Sequence, residues 1–125
     1  MGFETDIVDE TEVEFEIDGR EFAYVPTTAG DEIDWLPEYM KKVTKVVDDE
    51  VKEVYEQDLG MINECKLRKI TKVPYDSETL MNATGKASWD EVPSKEKGKF
   101  FRKISPDIYS KIIKKINEID SKKKV

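Results

Sequence analysis

The side chains that most often do chemistry in enzymes are sparse in this chain. It contains no histidine, which removes the commonest general base, the histidine-assisted nucleophiles and most zinc sites. The single Cys65 has no partner for an internal disulfide, and we expect a buried or half-buried residue in a reducing compartment. The 28 Asp and Glu residues can be paired in so many ways that no carboxylate pair is diagnostic. The composition therefore argues against an enzyme.

One stretch approaches a metal-binding motif. Glu14, Glu16 and Asp18, followed by Gly19, have the spacing of the first half of a calcium-binding EF-hand loop. The position that should carry the bidentate glutamate is Val25, which cannot bind the ion. The six glycines are scattered singly, so the chain has no phosphate-binding glycine loop either. We predict neither a metal nor a cofactor.

Charge is divided unevenly along the chain. Residues 1–60 carry 19 acidic and 5 basic side chains, whereas residues 61–125 carry 9 acidic and 16 basic ones. Such opposed charges can steer a partner, pair with each other within one molecule, or allow head-to-tail self-association that salt should weaken. We do not expect nucleic acid as the ligand, because Phe100 and Phe101 in the basic half are better used in a core than for base stacking.

Residues 12–25 give the clearest structural signal. TEVEFEI alternates between polar and apolar side chains, Asp18-Gly19 suits the two positive-φ positions of a type I′ turn, and REFAYV alternates back. A two-residue turn places Phe15 opposite Phe22 on the apolar face. The sequence therefore predicts a β-hairpin with an aromatic inner face and an acidic outer face.

Helices are predicted for most of the remainder. A long one should begin near Leu36, with Pro37 in its first turn, because apolar side chains then recur at helical spacing. They are Tyr39, Val43, Val46, Val47, Val51, Val54 and Tyr55. Further helices are predicted over residues 61–70, 77–83, 94–104 and 105–121, although residues 66–73 fit a strand equally well.

These elements predict one α+β domain over residues 12–120, in which the N-terminal hairpin at about 12–25 packs on a mainly α-helical remainder. Residues 1–11 are acidic and predict a flexible arm, and residues 121–125 form a basic tail. No stretch approaches the roughly 20 apolar residues of a membrane span, and the acidic start does not fit a secretory signal. We therefore expect a cytoplasmic protein without membrane contact.

Several of these segments together resemble the tail assembly chaperones of long-tailed phages and prophages. The segments are EFEIDGREFAYV at Glu14 to Val25, TAGDEIDWL at Thr28 to Leu36, Val73-Pro74-Tyr75, Trp89, and the final helix from Ser105 to Ile119. The resemblance is one of pattern and covers most of residues 12–119. It implies a non-enzymatic protein in the host cytoplasm that binds tape-measure and tail-tube proteins before virion assembly.

Four clustered apolar residues after the first hairpin predict a partner-binding site: Trp35, Leu36, Tyr39 and Met40. We expect some of the four to stay exposed and to dock a helix or strand of a partner, unless Trp35 and its neighbours are ordinary core. An alternative function is an acidic adaptor or decoy, which would present the carboxylates of residues 4–58 to a basic protein surface.

Overall fold

The computed structural model, which describes residues 6–122, contains five strands and five α-helices within those residues. The strands are β1 (Val13–Ile17), β2 (Arg20–Tyr24), β3 (Met40–Val47), β4 (Glu50–Gln57) and β5 (Ile70–Lys72). The helices are α1 (Ala29–Tyr39), α2 (Leu59–Leu67), α3 (Ser77–Thr84), α4 (Ser94–Phe100) and α5 (Pro106–Lys122). Short 3₁₀ helices lie at Trp89–Glu91 and Phe101–Lys103. The α+β class predicted from the sequence is confirmed.

The predicted N-terminal hairpin is present in the predicted register. β1 and β2 pair antiparallel with Phe15 opposite Phe22, and the two rings stack with their centroids 5.5 Å apart. Asp18 and Gly19 have φ values of 49° and 82°, as a type I′ turn requires. β5 pairs with the other side of β2, so the hairpin is part of a three-stranded sheet. The choice between helix and strand for residues 66–73 is thereby decided, because α2 ends at Leu67 and β5 follows.

The core lies between this sheet and the C-terminal half of the chain. α5 buries a stripe of isoleucines along one face, as its spacing predicts, and packs against β1. An aromatic cluster of Trp89, Phe100 and Phe101 fills the remaining space in edge-on contacts with centroids 5.3 to 5.8 Å apart. The Trp89 indole N–H donates a 2.8 Å hydrogen bond to the Ile70 carbonyl, which ties the cluster to β5.

A half-buried carboxylate links the end of β2 to the end of α5. Asp120 accepts hydrogen bonds from the Thr27 backbone N–H at 2.9 Å and the Tyr24 hydroxyl at 3.0 Å, and Lys66 lies 3.1 Å away. Burial opposes ionisation of this carboxyl group, but these partners outweigh it and lower its pKa. Burial likewise raises the pKa of Tyr24, so its hydroxyl keeps the proton that it donates.

The prediction of a long helix from Leu36 is wrong. α1 begins at Ala29, after a capping box formed by Thr28 and Asp31, and ends at Tyr39 with Pro37 in its last turns. Residues 40–57 then form a second hairpin, β3–β4. Valine and threonine favour strands, and this preference, with a two-residue turn, overrides the helical spacing of the apolar side chains.

A close helix contact holds the C-terminal part on α2. A Cβ atom at Gly98 of α4 would lie 2.6 Å from the Glu64 carbonyl oxygen, so only glycine allows this approach. The predicted helix over residues 94–104 is shorter than expected, since α4 ends at Phe100 and a 3₁₀ helix follows. Both phenylalanines are buried, as predicted.

The predicted terminal segments are covered only in part. Residues 6–11 are exposed apart from the half-buried Val8, whereas residues 1–5 of the predicted arm lie outside the described residues. Residues 123–125 of the predicted basic tail also lie outside them. Within residues 6–122, each helix is too short or too polar to cross a bilayer.

Candidate functional site

The second hairpin stands apart from the core and is the most unusual surface of the molecule. We call residues 40–57 the ribbon. Its two strands pair over eight positions, from Met40 opposite Gln57 to Val47 opposite Glu50, and no third strand from residues 6–122 joins them. Asp48 and Asp49 close it with φ values of 52° and 63°, the geometry of a two-residue turn built without glycine. An isolated two-stranded hairpin is at best marginally stable in water, so a ribbon of this length is a candidate for contact with a partner.

Apolar side chains lie in solvent on this ribbon. On one face Val46 and Val51 stand opposite each other and are 72% and 71% exposed, and Tyr55 on the same face is 68% exposed. On the other face the half-buried Val43 pairs with Val54. In the part of the chain that the structure describes, no ribbon side chain belongs to the hydrophobic core cluster, and the main contact of the ribbon with the rest of the protein is at α1. Exposed apolar groups gathered in this way are typical of a docking surface.

The edges of the ribbon are also open. The Asp58 N–H donates a 2.7 Å hydrogen bond to the Tyr39 carbonyl, which fixes the alternation of bonded and non-bonded pairs along both strands. The backbone groups of every second residue therefore point away from the partner strand: residues 40, 42, 44 and 46 on β3, and residues 51, 53, 55 and 57 on β4. Such an edge is a template on which another strand can pair.

The base of the ribbon is held firmly. α1 passes into β3 without a loop, and Glu38 in its last turn accepts two 2.7 Å hydrogen bonds from the Arg68 guanidinium. Those bonds lower the pKa of Glu38, so the pair stays charged at neutral pH. At the other strand, Asp58 caps α2 and lies 2.7 Å from Lys41. The ribbon thus extends from a fixed support.

The four residues predicted to bind a partner lie at this junction. Trp35 is only 8% exposed and belongs to the interior, so it cannot contact a partner without rearrangement. Leu36 is 45% exposed, and Tyr39 and Met40 are half-buried where α1 becomes β3. Leu36, Tyr39 and Met40 therefore remain as candidates. Sequence reasoning missed the ribbon beyond them, although two valine-rich runs around Asp48-Asp49 were a signal for it.

Several ion pairs join the two charged halves of the chain. Within residues 6–122, five contacts join carboxylates of the first half to basic groups of the second: Asp18 to Lys111 at 2.8 Å, Glu21 to Lys72 at 3.3 Å, Glu38 to Arg68 at 2.7 Å and to Lys95 at 3.9 Å, and Asp31 to Lys69. Carboxylates engaged in this way are less able to bind a basic protein surface.

A groove of about 530 Å³ lies beside the base of the ribbon, lined by α2 and the segment before α5. Its buried carboxylate, Glu64, is paired with the Arg102 guanidinium. The neighbouring Cys65 is fully buried, as predicted, and burial raises the pKa of its thiol, which disfavours the nucleophilic thiolate. Among residues 6–122, no three His, Cys, Asp or Glu side chains are grouped so as to hold a metal ion.

No family model, no curated protein and no solved structure matches this chain.

Proposed function

We propose that this protein is a non-enzymatic tail assembly chaperone of a phage or prophage, which binds tape-measure and tail-tube proteins in the host cytoplasm before the virion assembles. The observation that carries the proposal is the ribbon, with Val46, Val51 and Tyr55 exposed on one face. A protein that holds unassembled subunits needs an apolar surface that is free before they bind, and the ribbon provides one.

The junction of α1 and β3 supports the same function. Leu36 is exposed there beside the half-buried Tyr39 and Met40, and the Glu38–Arg68 pair fixes the backbone that carries them. A preorganised apolar site loses little conformational entropy when a partner binds, so a small patch can contribute usefully to affinity. We assign the partner contact to this junction and to the exposed face of the ribbon.

Co-purification with the predicted partners tests this function. The tagged chain should be co-expressed with the tape-measure and tail-tube proteins encoded beside its gene, and we expect both to co-purify with it. Leu36→Asp and Val46→Asp should each reduce the retained partner about tenfold, because a charge replaces an exposed apolar contact.

Met81→Asp is the matched control. Met81 is 48% exposed on α3, slightly more than Leu36, but it lies outside the ribbon and its base. This variant should retain both partners. A gene neighbourhood without tail genes, or wild-type protein that retains neither partner, would contradict the assignment.

A further inference from the structure

We propose that two copies of this chain associate through the free edge of β4, forming a four-stranded antiparallel sheet in the order β3-β4-β4-β3. The dimer is a property of the ribbon alone and does not depend on the chaperone function proposed above. It follows from the edge geometry, the order of charges along β4 and the position of the folded body at one end of the ribbon.

The geometry of the edge restricts how two β4 strands can pair. A two-fold axis perpendicular to the sheet makes them antiparallel and must pass through a pair of identical residues, because neighbouring pairs alternate between bonded and non-bonded types. Only two such registers overlap the strands over nearly their full length. One is centred on Glu53 and the other on Val54. In the first, the backbone groups at positions 51, 53 and 55 supply the hydrogen bonds, and in the second those at positions 51, 53, 55 and 57 do so.

Charge selects between the two registers. The one centred on Glu53 places this residue opposite its own copy and Glu50 opposite Glu56 of the second copy, so like charges face each other at three positions. The register centred on Val54 places Lys52 opposite Glu56 of the second copy, twice by symmetry, and Val54 opposite Val54. The second register is therefore favoured.

This register also relieves a conflict within the single ribbon. Lys45 stands directly opposite Lys52, a like-charge pair that destabilises a hairpin. Lys45 pairs with Glu56 instead, whereas the nearest carboxylate to Lys52 is the exposed Glu50 at 4.0 Å. In the dimer, Lys52 gains Glu56 of the second copy as a direct neighbour. The half-buried Val43 and Val54 of both copies then form one continuous apolar row across four strands.

The other edge does not offer an equivalent contact. β3 carries Lys41, Lys42 and Lys45 and no acidic residue, so two β3 edges repel each other. Pairing β3 of one copy with β4 of the next would place both folded bodies at the same end, with ribbons about 10 Å apart. A folded domain of this length is roughly 35 Å across, so the bodies would collide. Antiparallel β4 pairing places the bodies at opposite ends and closes after two copies.

Proline substitution at the edge tests the proposal by sedimentation equilibrium. At about 100 µM we expect wild-type protein to be mainly dimeric, which corresponds to a Kd of about 10 µM or tighter. Glu53→Pro should give a monomer, because proline removes an outward N–H of β4 without removing a bond between β3 and β4. Thr44→Pro is the matched control, since Thr44 is the register partner of Glu53 and its N–H lies on the other edge.

Three results would overturn the proposal: wild-type protein that is monomeric at this concentration, a dimer that survives Glu53→Pro, or one that Thr44→Pro alone abolishes. Hydrogen exchange provides a second measurement that does not depend on a variant. The Glu53 amide should become protected as concentration rises into the dimeric range, while the Thr44 amide should stay unprotected. Equal protection of both amides would also contradict the β4 edge as the contact.

A charge exchange tests the register. Lys52→Glu and Glu56→Lys should each weaken dimerisation about tenfold by placing like charges opposite each other, and the double variant should restore it to within about threefold of wild type. Lys52→Glu also removes the repulsion between Lys45 and Lys52, so a weaker dimer cannot be attributed to that pair. A double variant as weak as the single ones would exclude this register.

Discussion

The two β-hairpins of this protein have the same turn geometry and opposite surroundings. β1–β2 is closed by Asp18-Gly19 and β3–β4 by Asp48-Asp49, each with two positive-φ residues. The first hairpin has β5 on one side and α5 against β1, whereas the ribbon has no strand on either edge within the described residues. The turn sets the strand register in both, but only the first has tertiary contacts that determine its stability.

This difference assigns the two hairpins separate tasks. Phe22 and Tyr24 of the first are fully buried, so its strands are part of the folding unit of the domain. Within residues 6–122, Val46, Val51 and Tyr55 of the ribbon are largely exposed, so another molecule or another copy could bury them. We therefore expect the first hairpin to unfold with the whole domain and the ribbon to open locally at a lower free energy.

Aromatic truncation should give the largest contrast between the hairpins. Phe22→Ala leaves a cavity against the Phe15 ring and should lower the free energy of unfolding by about 3–5 kcal/mol. Tyr55→Ala removes a side chain that is 68% exposed and should change the free energy of unfolding by less than about 0.5 kcal/mol. Denaturant unfolding of both variants measures the difference, and equal losses would show that the ribbon belongs to the same cooperative unit.

Low pH should destabilise the contact between the first hairpin and α5, which the Asp120 carboxylate makes. The pKa of Asp120 is lowered in the fold, so the unfolded chain binds more protons near pH 4. The stability that the Asp120 carboxylate contributes should therefore be fully present at neutral pH and be lost as pH falls below about 4. Asp120→Asn should cost about 1–3 kcal/mol at pH 7 and reduce that acid dependence.

Unfolding by denaturant at several pH values measures this effect. Asp58→Asn at the base of the ribbon is the matched control, because asparagine caps a helix as well as aspartate does and Lys41 is exposed. An acid dependence that is unchanged in Asp120→Asn would mean that other carboxylates carry it, such as Asp31 or Glu38, whose pKa values are also lowered.

Substitutions in the two turns should change stability least, and the two changes should have opposite signs. Gly19 has φ of 82° with open space around the position of a Cβ, so Gly19→Ala adds backbone strain alone and should destabilise the domain by about 1 kcal/mol. Asp49 has φ of 63°, so Asp49→Gly should stabilise the ribbon by up to about 1 kcal/mol.

Denaturant unfolding measures the first change, and amide exchange along β3 and β4 measures the second. We expect Asp49→Gly to slow exchange in the ribbon while leaving the unfolding midpoint of the domain nearly unchanged. A clear rise in that midpoint would show that the two hairpins are energetically coupled.

The first hairpin, which buries one face, was predicted correctly from the sequence. The ribbon, which has apolar side chains on both faces, was not. Along β1 the alternation of Phe15 and Ile17 with glutamates records a single buried face. In the ribbon, valines occupy both faces and are mirrored about the turn, as in the pairs Val43–Val54 and Val46–Val51. Mirrored positions three and four residues apart reproduce helical spacing, so periodicity alone favoured a helix.

Only the part of the candidate site that is contiguous in the sequence could be predicted. The clustering of Leu36, Tyr39 and Met40 was visible in the sequence, because they are close along the chain. Their relation to Val51 and Tyr55 depends on the register of β3 with β4, which periodicity had not predicted. The ion pairs between the two halves, such as Glu38 with Arg68, depend on tertiary placement in the same way.

The direct passage of α1 into β3 has a mechanical consequence. With no loop between them, a ribbon of eight residue pairs, about 26 Å long, acts on α1 as a lever arm. A sideways load at the turn becomes a torque at Tyr39, and the paired hydrogen bonds between Glu38 and Arg68 transmit it to α2. As long as the ribbon stays folded, a molecule bound at its tip therefore exerts force on α1 and α2 and not on a flexible linker.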